Sequence, residues 1–361
     1  MNHVPIGNEE NMEKEAAAPD ALRVRELQPV DFYRWNEFVS ACPEATFFHR
    51  AGWKTVIERA FGHRTNFLYA EAGGRIEGVL PLAEVRSLLF GHTLVSLPFC
   101  VYGGIAARSE RARRALDDAA TALAEKQRVD HLEYRSLTPH HPEWAQTDLY
   151  VTFRKAIDSD VEKNLLEIPR KQRAMVRKGI KAGLKSETDD GVGRFFAAYA
   201  DSVHRLGTPV FSRRYFEVLR EVFGADCEVL TVTRDGGLVA SVMSFYFRDE
   251  VLPYYGGGTE LAREVAGNDF MYWEVMRRAC ERGLRVFDYG RSKRGTGSFD
   301  FKKNWGFEPQ PLHYEYRLVR GKRVPEHNPL NPRYRLLIKL WQRLPLALAN
   351  RIGPHIVKNL G

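Results

Sequence analysis

The sequence predicts a mixed α/β protein made of two tandem copies of one unit. Three observations lead there. The chain is 361 residues long, more than one ordinary core accommodates and suited to two domains. The same ordered set of short patterns occurs twice along it, and each set alternates strand-like with helix-like segments. A composition of 44% hydrophobic and 28% charged residues is that of a folded globular chain. No run of about 18 apolar residues is present that could cross a membrane as a helix.

Taken in order, residues 1–21 are expected to form a disordered tail, acidic and alanine-containing, without the basic and apolar regions of an export signal. Cys42, Cys100, Cys227 and Cys280 lie far apart with no CxxC pair. That spacing suits neither a zinc site nor a disulfide framework and fits a reducing cytoplasm. The expected location is therefore cytoplasmic, open to peripheral contact with the inner membrane.

The first unit is expected over 22–155 and the second over 156–320. The helical run 56–62, ending in Phe61-Gly62, is echoed by 219–224, ending in Phe223-Gly224. Gly73-Gly74 then separates the apolar runs 67–70 and 79–82, and Gly236-Gly237 separates 229–232 from 239–247. Both read as strand, tight turn, strand. Tyr102-Gly103-Gly104 opens a helical stretch that ends near Arg128 and is followed by a strand over 132–136. Its echo is Tyr255-Gly256-Gly257, a helix from about Phe270 to Arg282, and a strand over 287–292. Successive offsets of 162, 163, 153 and 155 residues keep the order with one local change of length. Asn268 or Asp269 is expected to cap the second-unit helix, and Gly283 follows its last turn. Met271, Val275, Met276 and Ala279 recur at helical spacing as its core face.

Charge is unevenly placed. The net +8 comprises +7 over 163–185 and +8 over 320–361, so the remainder carries −7. Concentrated positive charge suggests an anionic partner, and a solvated helix face is the plainer reading of each segment. In the first segment Pro169 begins a helix that carries Arg170, Lys171, Arg177 and Lys178. The tail over 321–361 interleaves Leu336, Leu337, Leu340 and Trp341 with Arg333, Arg335, Lys339 and Arg343. It suits either contact with an anionic leaflet or docking as a cap on the second unit.

The ordered set Tyr254-Tyr255-Gly256-Gly257-Gly258, Asn268-Asp269, Trp273-Glu274, 287–292 and 301–307 resembles the second domain of FemAB-type transferases. The branch it is most similar to is the one associated with exosortase (PEP-CTERM) and exopolysaccharide loci. The resemblance spans about 22–319 and implies two tandem GNAT-like acyltransferase domains, in keeping with the duplication. It implies transfer of an acyl or aminoacyl group to an amine or hydroxyl of an envelope, peptidoglycan or exopolysaccharide precursor. The co-substrate would be aminoacyl-tRNA or acyl-CoA. Only the compact basic segment stands where family members carry a long helical hairpin for tRNA. A Gln/Arg-x-x-Gly-x-Gly/Ala pyrophosphate loop is also missing before the helix at Phe270.

In the FemAB pattern a Phe-Lys pair contributes a lysine to catalysis, and it maps onto Phe301-Lys302. An ammonium at Lys302 would stabilise the tetrahedral intermediate or the departing oxygen. Read alone, Lys302 and Lys303 are equally two solvated lysines on an edge strand. Asp288, at a strand end, is expected to assist the amine as a base, or to sit in a structural ion pair with Arg291 or Lys302. The first unit keeps Glu133 and Arg135 near this position and has no Phe-Lys sequel, so the second is the expected chemical unit. The expected substrate-binding set is Tyr254, Tyr255, Asn268, Asp269, Arg291 and Phe301, with Arg170, Lys171, Arg177 and Lys178 holding phosphate or carboxylate. Arg291, Lys293 and Arg294, with Gly295 and Gly297, read as a flexible basic loop.

Other chemistries fit poorly. His140-His141 stands between prolines without metal-ligand spacing, His204 reads as a packed helical histidine, and there is no P-loop, GxSxG or GxGxxG. Neither a bound cofactor nor a metal is expected, and DNA is not an expected partner. The expected partner is an anionic, phosphate-bearing or lipid-linked glycan or peptide substrate, with tRNA open as a second. Two other classes remain in view: a non-catalytic membrane-peripheral scaffold in exopolysaccharide assembly, and an RNA-binding module built on the basic helix.

Overall fold

The computed structural model describes residues 21–87, 91–324 and 332–360. The expected N-terminal tail lies outside the described residues up to residue 20. The first repeat runs β1 (Arg23–Glu26), α1 (Phe32–Ala41), α2 (Gly52–Phe61), β2 (Thr65–Ala72), β3 (Arg75–Ser87), β4 (Gly91–Val95), β5 (Ala106–Ala107), α3 (Glu110–Gln127), β6 (His131–Ser136), β7 (Ala145–Thr147) and β8 (Tyr150–Ala156). The second runs α4 (Val161–Glu167), α5 (Arg170–Lys181), β9 (Lys185–Asp189), α6 (Gly193–Arg205), α7 (Arg213–Phe223), β10 (Cys227–Arg234), β11 (Gly237–Phe247) and β12 (Glu250–Gly258). It continues through α8 (Glu260–Glu264), α9 (Gly267–Glu281), β13 (Val286–Asp288), β14 (Ser292–Lys293), α10 (Gly297–Asn304), β15 (Pro309–Pro311) and β16 (His313–Leu318). Two helices, α11 (Pro332–Gln342) and α12 (Leu346–Val357), follow.

Both expected hairpins form, and by the same device. Gly73 and Gly74 carry φ of 54° and 77° between β2 and β3, and Asp235 and Gly236 carry 49° and 78° between β10 and β11. Two successive positive φ values match the twist of the flanking strands. The strand orders are β1-β2-β3-β4-β6-β16-β7, with β5 on β3, and β14-β8-β13-β12-β11-β10-β9, with β15 on β8. One pair in each sheet is parallel, β4 with β6 and β12 with β13.

The two sheets exchange strands. β8, which ends the first repeat, pairs with β13 in the second sheet, and β16, which ends the second repeat, pairs with β6 in the first. The repeat boundary at 155/156 therefore falls inside β8. A single apolar cluster joins the repeats. Phe47, Phe48 and Trp53 of the first pack with Phe223, Phe245 and Tyr254 of the second, Phe47 stacking on Phe245 at 4.5 Å. Helices α2 and α7 pack together there, and Arg50 reaches Asp226 at 2.6 Å. Along β11, Met243 and Phe245 enter this shared cluster while Ala240 and Val242 face a second one with α5 and α9. Helices α5 and α9 thus lie on the sheet face turned away from the first repeat.

Three local expectations are corrected. Neither Asn268 nor Asp269 caps α9. Ala266, at φ 57°, stands before it, and both residues fall in the first turn. Lys302 and Lys303 stand on a helix, α10, where an edge strand was the expectation, because Phe301 and Trp305 bury at i, i+4 spacing. The basic loop is partly ordered as β14, which pairs with β8.

Candidate active site

The second sheet opens beside its parallel pair. β12 pairs with β11 as far as Gly258, whereas β13 holds only its first residues, Glu250 and Val251. The pairing passes from Met243–Tyr255 to Ser244–Pro253, so Tyr254 is an extra residue that bends β12 away. The first repeat closes the same place. Gly103 and Gly104 N–H both donate to the Arg135 carbonyl, and the Arg135 guanidinium donates to Leu97 O at 3.2 Å and Cys100 O at 3.1 Å. Its Nε donates to Glu133 at 2.7 Å, filling the position with a buried ion pair.

At this opening Lys302 projects from the last turn of α10. Its Nζ donates to Gly290 O and to Arg291 O, each at 3.0 Å, and lies 5.7 Å from the centre of the Phe153 ring. Gly290, at φ 66°, turns the chain so that consecutive carbonyls converge on one atom, a conformation that favours glycine. Burial pushes the Lys302 ammonium down from 10.5 to about 7; Asp288 opposes the change and Arg291 adds to it. Lys293, half-buried two residues after Arg291, is lowered to about 8 by burial and by Arg291.

Asp288 fixes this loop from its other side. Its Oδ1 accepts from Gly290 N at 2.7 Å and Thr152 Oγ1 at 3.3 Å, and its Oδ2 accepts from Tyr102 OH at 3.0 Å. Arg154, also paired with Glu250, lies 3.6 Å from Oδ2. Asp288 is 1% exposed, and burial raises its carboxyl above the usual range against the pull of Arg154. Its ion-pair partner is thus Arg154, where the sequence suggested Arg291 or Lys302. Tyr102, Thr152 and Arg154 come from the first repeat and from β8; no local spacing in the sequence links them to Asp288.

The other expected residues divide into groups. Arg291 donates to Tyr314 OH at 2.9 Å and stacks over Tyr150 at 4.9 Å, beside the Lys302 cage. Phe301, half-buried, faces Tyr272 at 5.7 Å on the same helix as Lys302. Tyr254 donates to Phe99 O at 3.1 Å across the contact between repeats, whereas Tyr255 shares a 2.8 Å hydrogen bond with Tyr215 inside the second repeat. Asp269 ties helices together, accepting from Gln172 Nε2 at 2.9 Å and Trp305 Nε1 at 3.1 Å. Asn268 Oδ1 is buried with no hydrogen-bond partner among the described residues.

Arg170, Lys171, Arg177 and Lys178 are exposed on α5 and have no ion-pair partner among the described residues. Pro169, just before α5, packs on Gly306, so the first turn of this basic helix adjoins the end of α10. No cluster of three or more metal-binding side chains occurs among the described residues.

Residues 170–303 match the family model of the acetyltransferase (GNAT) domain. No curated protein sequence matches the chain. Among solved structures, FemX superposes with a TM-score of 0.67 at 15% identity, over 82% of this chain and 98% of its own. The C-terminal domain of a putative lysylphosphatidylglycerol synthetase from Agrobacterium fabrum gives 0.54 at 12%, over 80% and 91%. A tandem GNAT protein from the clavulanic acid biosynthesis pathway gives 0.52 at 14%, over 84% and 100%. The fold is therefore that of tandem GNAT proteins, and the segment matching the acetyltransferase model is the one that carries Lys302.

Proposed function

We propose that the protein is an acyltransferase that moves an acyl or aminoacyl group from an activated donor to an amine of a cell-envelope or exopolysaccharide precursor, with Lys302 at the reacting centre. The observation that carries this reading is Lys302 itself: a lysine lowered to about 7, held by two carbonyls at the open parallel pair of a GNAT fold. Two of its N–H bonds are committed to Gly290 O and Arg291 O. The third position on nitrogen carries either a lone pair or a proton.

In the neutral form Lys302 accepts the proton released as the acceptor amine attacks the acyl carbon. In the resulting ammonium form it stabilises the departing oxygen or sulfur and returns the proton to it. The acyl–X bond breaks, an acyl–N bond forms, and HX leaves. Asp288 is a positioning residue that holds the 288–291 loop, and Arg291 and Lys293 supply positive charge for an anionic portion of a substrate.

The donor is an aminoacyl-tRNA or an acyl-CoA. The test is incubation with radiolabelled aminoacyl-tRNA and, separately, acyl-CoA, each with lipid and glycan extract from the source cells. Label entering the lipid or glycan fraction, and ceasing with Lys302→Ala, is the expected result. Transfer unaffected by that substitution refutes the assignment of Lys302, and no transfer from either donor refutes the transferase and leaves a scaffold.

A further inference from the structure

The basic tail was open to two readings, cap or membrane contact, and its packing serves both. Helices α11 and α12 dock on α6 and its surroundings through one face each. Ile338 packs on Gly207, Trp341 O accepts from His204 Nε2 at 3.1 Å, and Gln342 Nε2 donates to Arg205 O at 2.8 Å. On α12, Ala349, Gly353 and Val357 are buried, Gly353 lying against Val210, and His63 Nε2 donates to Lys358 O at 2.7 Å.

A second face of each helix is left bare and apolar. Leu336, Leu337 and Leu340 are 65%, 60% and 50% exposed, and Leu348 and Ile352 follow on α12 at 42% and 37%. At about 100° per residue, the three α11 leucines occupy an arc of roughly 100°, bordered by Lys339 and Arg343 on the side away from the docked residues. Leu206, just after α6 and next in the chain to the docked Gly207, is also exposed, at 65%. Exposed Arg351 lies between Leu348 and Ile352 in sequence. From residue 327 onward the chain holds no Asp or Glu at all.

We propose that this face is a docking surface for an anionic lipid bilayer. Leucines beside cations, with no acidic residue among them, match a bilayer interface, where acyl chains receive the apolar stripe and lipid phosphates receive the cations. A second copy of the chain would bring the same wholly cationic surface against itself, which like charges oppose. α11 is eleven residues long and no described helix can span a membrane, so the contact is peripheral.

The test is flotation of the full-length protein with vesicles of phosphatidylcholine alone or with one third phosphatidylglycerol. Binding is expected to the anionic vesicles and to weaken with added salt. The variant Leu336→Glu/Leu340→Glu, whose side chains are exposed and so leave the fold intact by circular dichroism, is expected to lower binding about tenfold or more. Lys339→Glu/Arg343→Glu is expected to do the same. Three results overturn the proposal: no preference for anionic vesicles, wild-type binding by both tail variants, or loss of binding only in Arg177→Glu/Lys178→Glu on α5. A concentration-dependent dimer that the leucine variant dissolves would assign the face to a second copy instead.

Discussion

Replacing Lys302 by methionine should make the protein more stable at neutral pH, and less so as the solution turns alkaline. In the unfolded chain a lysine titrates near 10.5, whereas in the folded protein Lys302 titrates at about 7. Below pH 7 both states carry the ammonium, and the folded state bears the whole cost of desolvating it. Between 7 and 10.5 the folded protein has released the proton and the unfolded chain has not, so the cost shrinks as pH rises and is gone above 10.5. A difference of about 3.5 in pKa, at about 1.4 kcal/mol each, bounds the cost near 5 kcal/mol, and solvent access to a half-buried group reduces this to about 2 kcal/mol. Methionine keeps an unbranched apolar stem of similar length and leaves Gly290 O and Arg291 O to water. Urea denaturation of both proteins at intervals from pH 6 to 10 gives the difference directly and needs no knowledge of either substrate. An advantage for Lys302→Met that stays constant with pH, or an advantage for wild type throughout, would refute the argument that Lys302 is desolvated.

Further expectations follow from the same geometry. Asp288→Asn removes the charge that holds the Lys302 pKa up, so the lower inflection of kcat/KM against pH, expected near 7 in wild type, should move to lower pH; an upward movement contradicts the assignment. Asp269→Ala leaves the buried donors of Gln172 and Trp305 unpartnered, at a cost of about 2–4 kcal/mol in thermal or chemical unfolding, and should speed amide exchange in α5, with Asp269→Asn milder. Gly103→Ala drives a methyl into the Ser96 carbonyl and should cost about 1–3 kcal/mol or more, whereas Gly297→Ala meets nothing and should be within about 0.5 kcal/mol of wild type.

The duplication was legible because its markers are local. The glycine pairs at matching offsets mark a turn in both repeats, made by Gly73-Gly74 in the first and, one residue ahead of the expected Gly236-Gly237, by Asp235-Gly236 in the second, between apolar runs that form strands. The exchange of β8 and β16 was not legible, because an apolar strand such as 150–153 carries nothing in its own sequence that names its neighbour. Lys302 was found through its Phe-Lys context, but it was placed on a strand. Phe299 and Phe301 alternate over a few residues, and the helical pairing of Phe301 with Trp305 appears only once Asp269 is seen to hold the indole. The cage around Lys302 is made of main-chain carbonyls, which no residue type announces. The partners of Asp288 lay hidden for another reason. Tyr102 is nearly 190 residues away in the chain, and its only sequence signal was its place opposite Tyr255 in the repeat.

The exchanged strands also set a timetable for synthesis. β6 leaves the ribosome with its outer edge unpaired, and its partner β16 begins roughly 180 residues later. At about 5–20 residues per second that edge waits on the order of 10–35 s. An open strand edge is a template for wrong pairing. β6 spends this interval with His131, Glu133 and Arg135 at alternate positions along it, charges and a titratable ring that make it a poor partner for another nascent chain. The residues that fill the opening of the first repeat would then have a second employment, guarding the nascent sheet until the end of the chain arrives to close it.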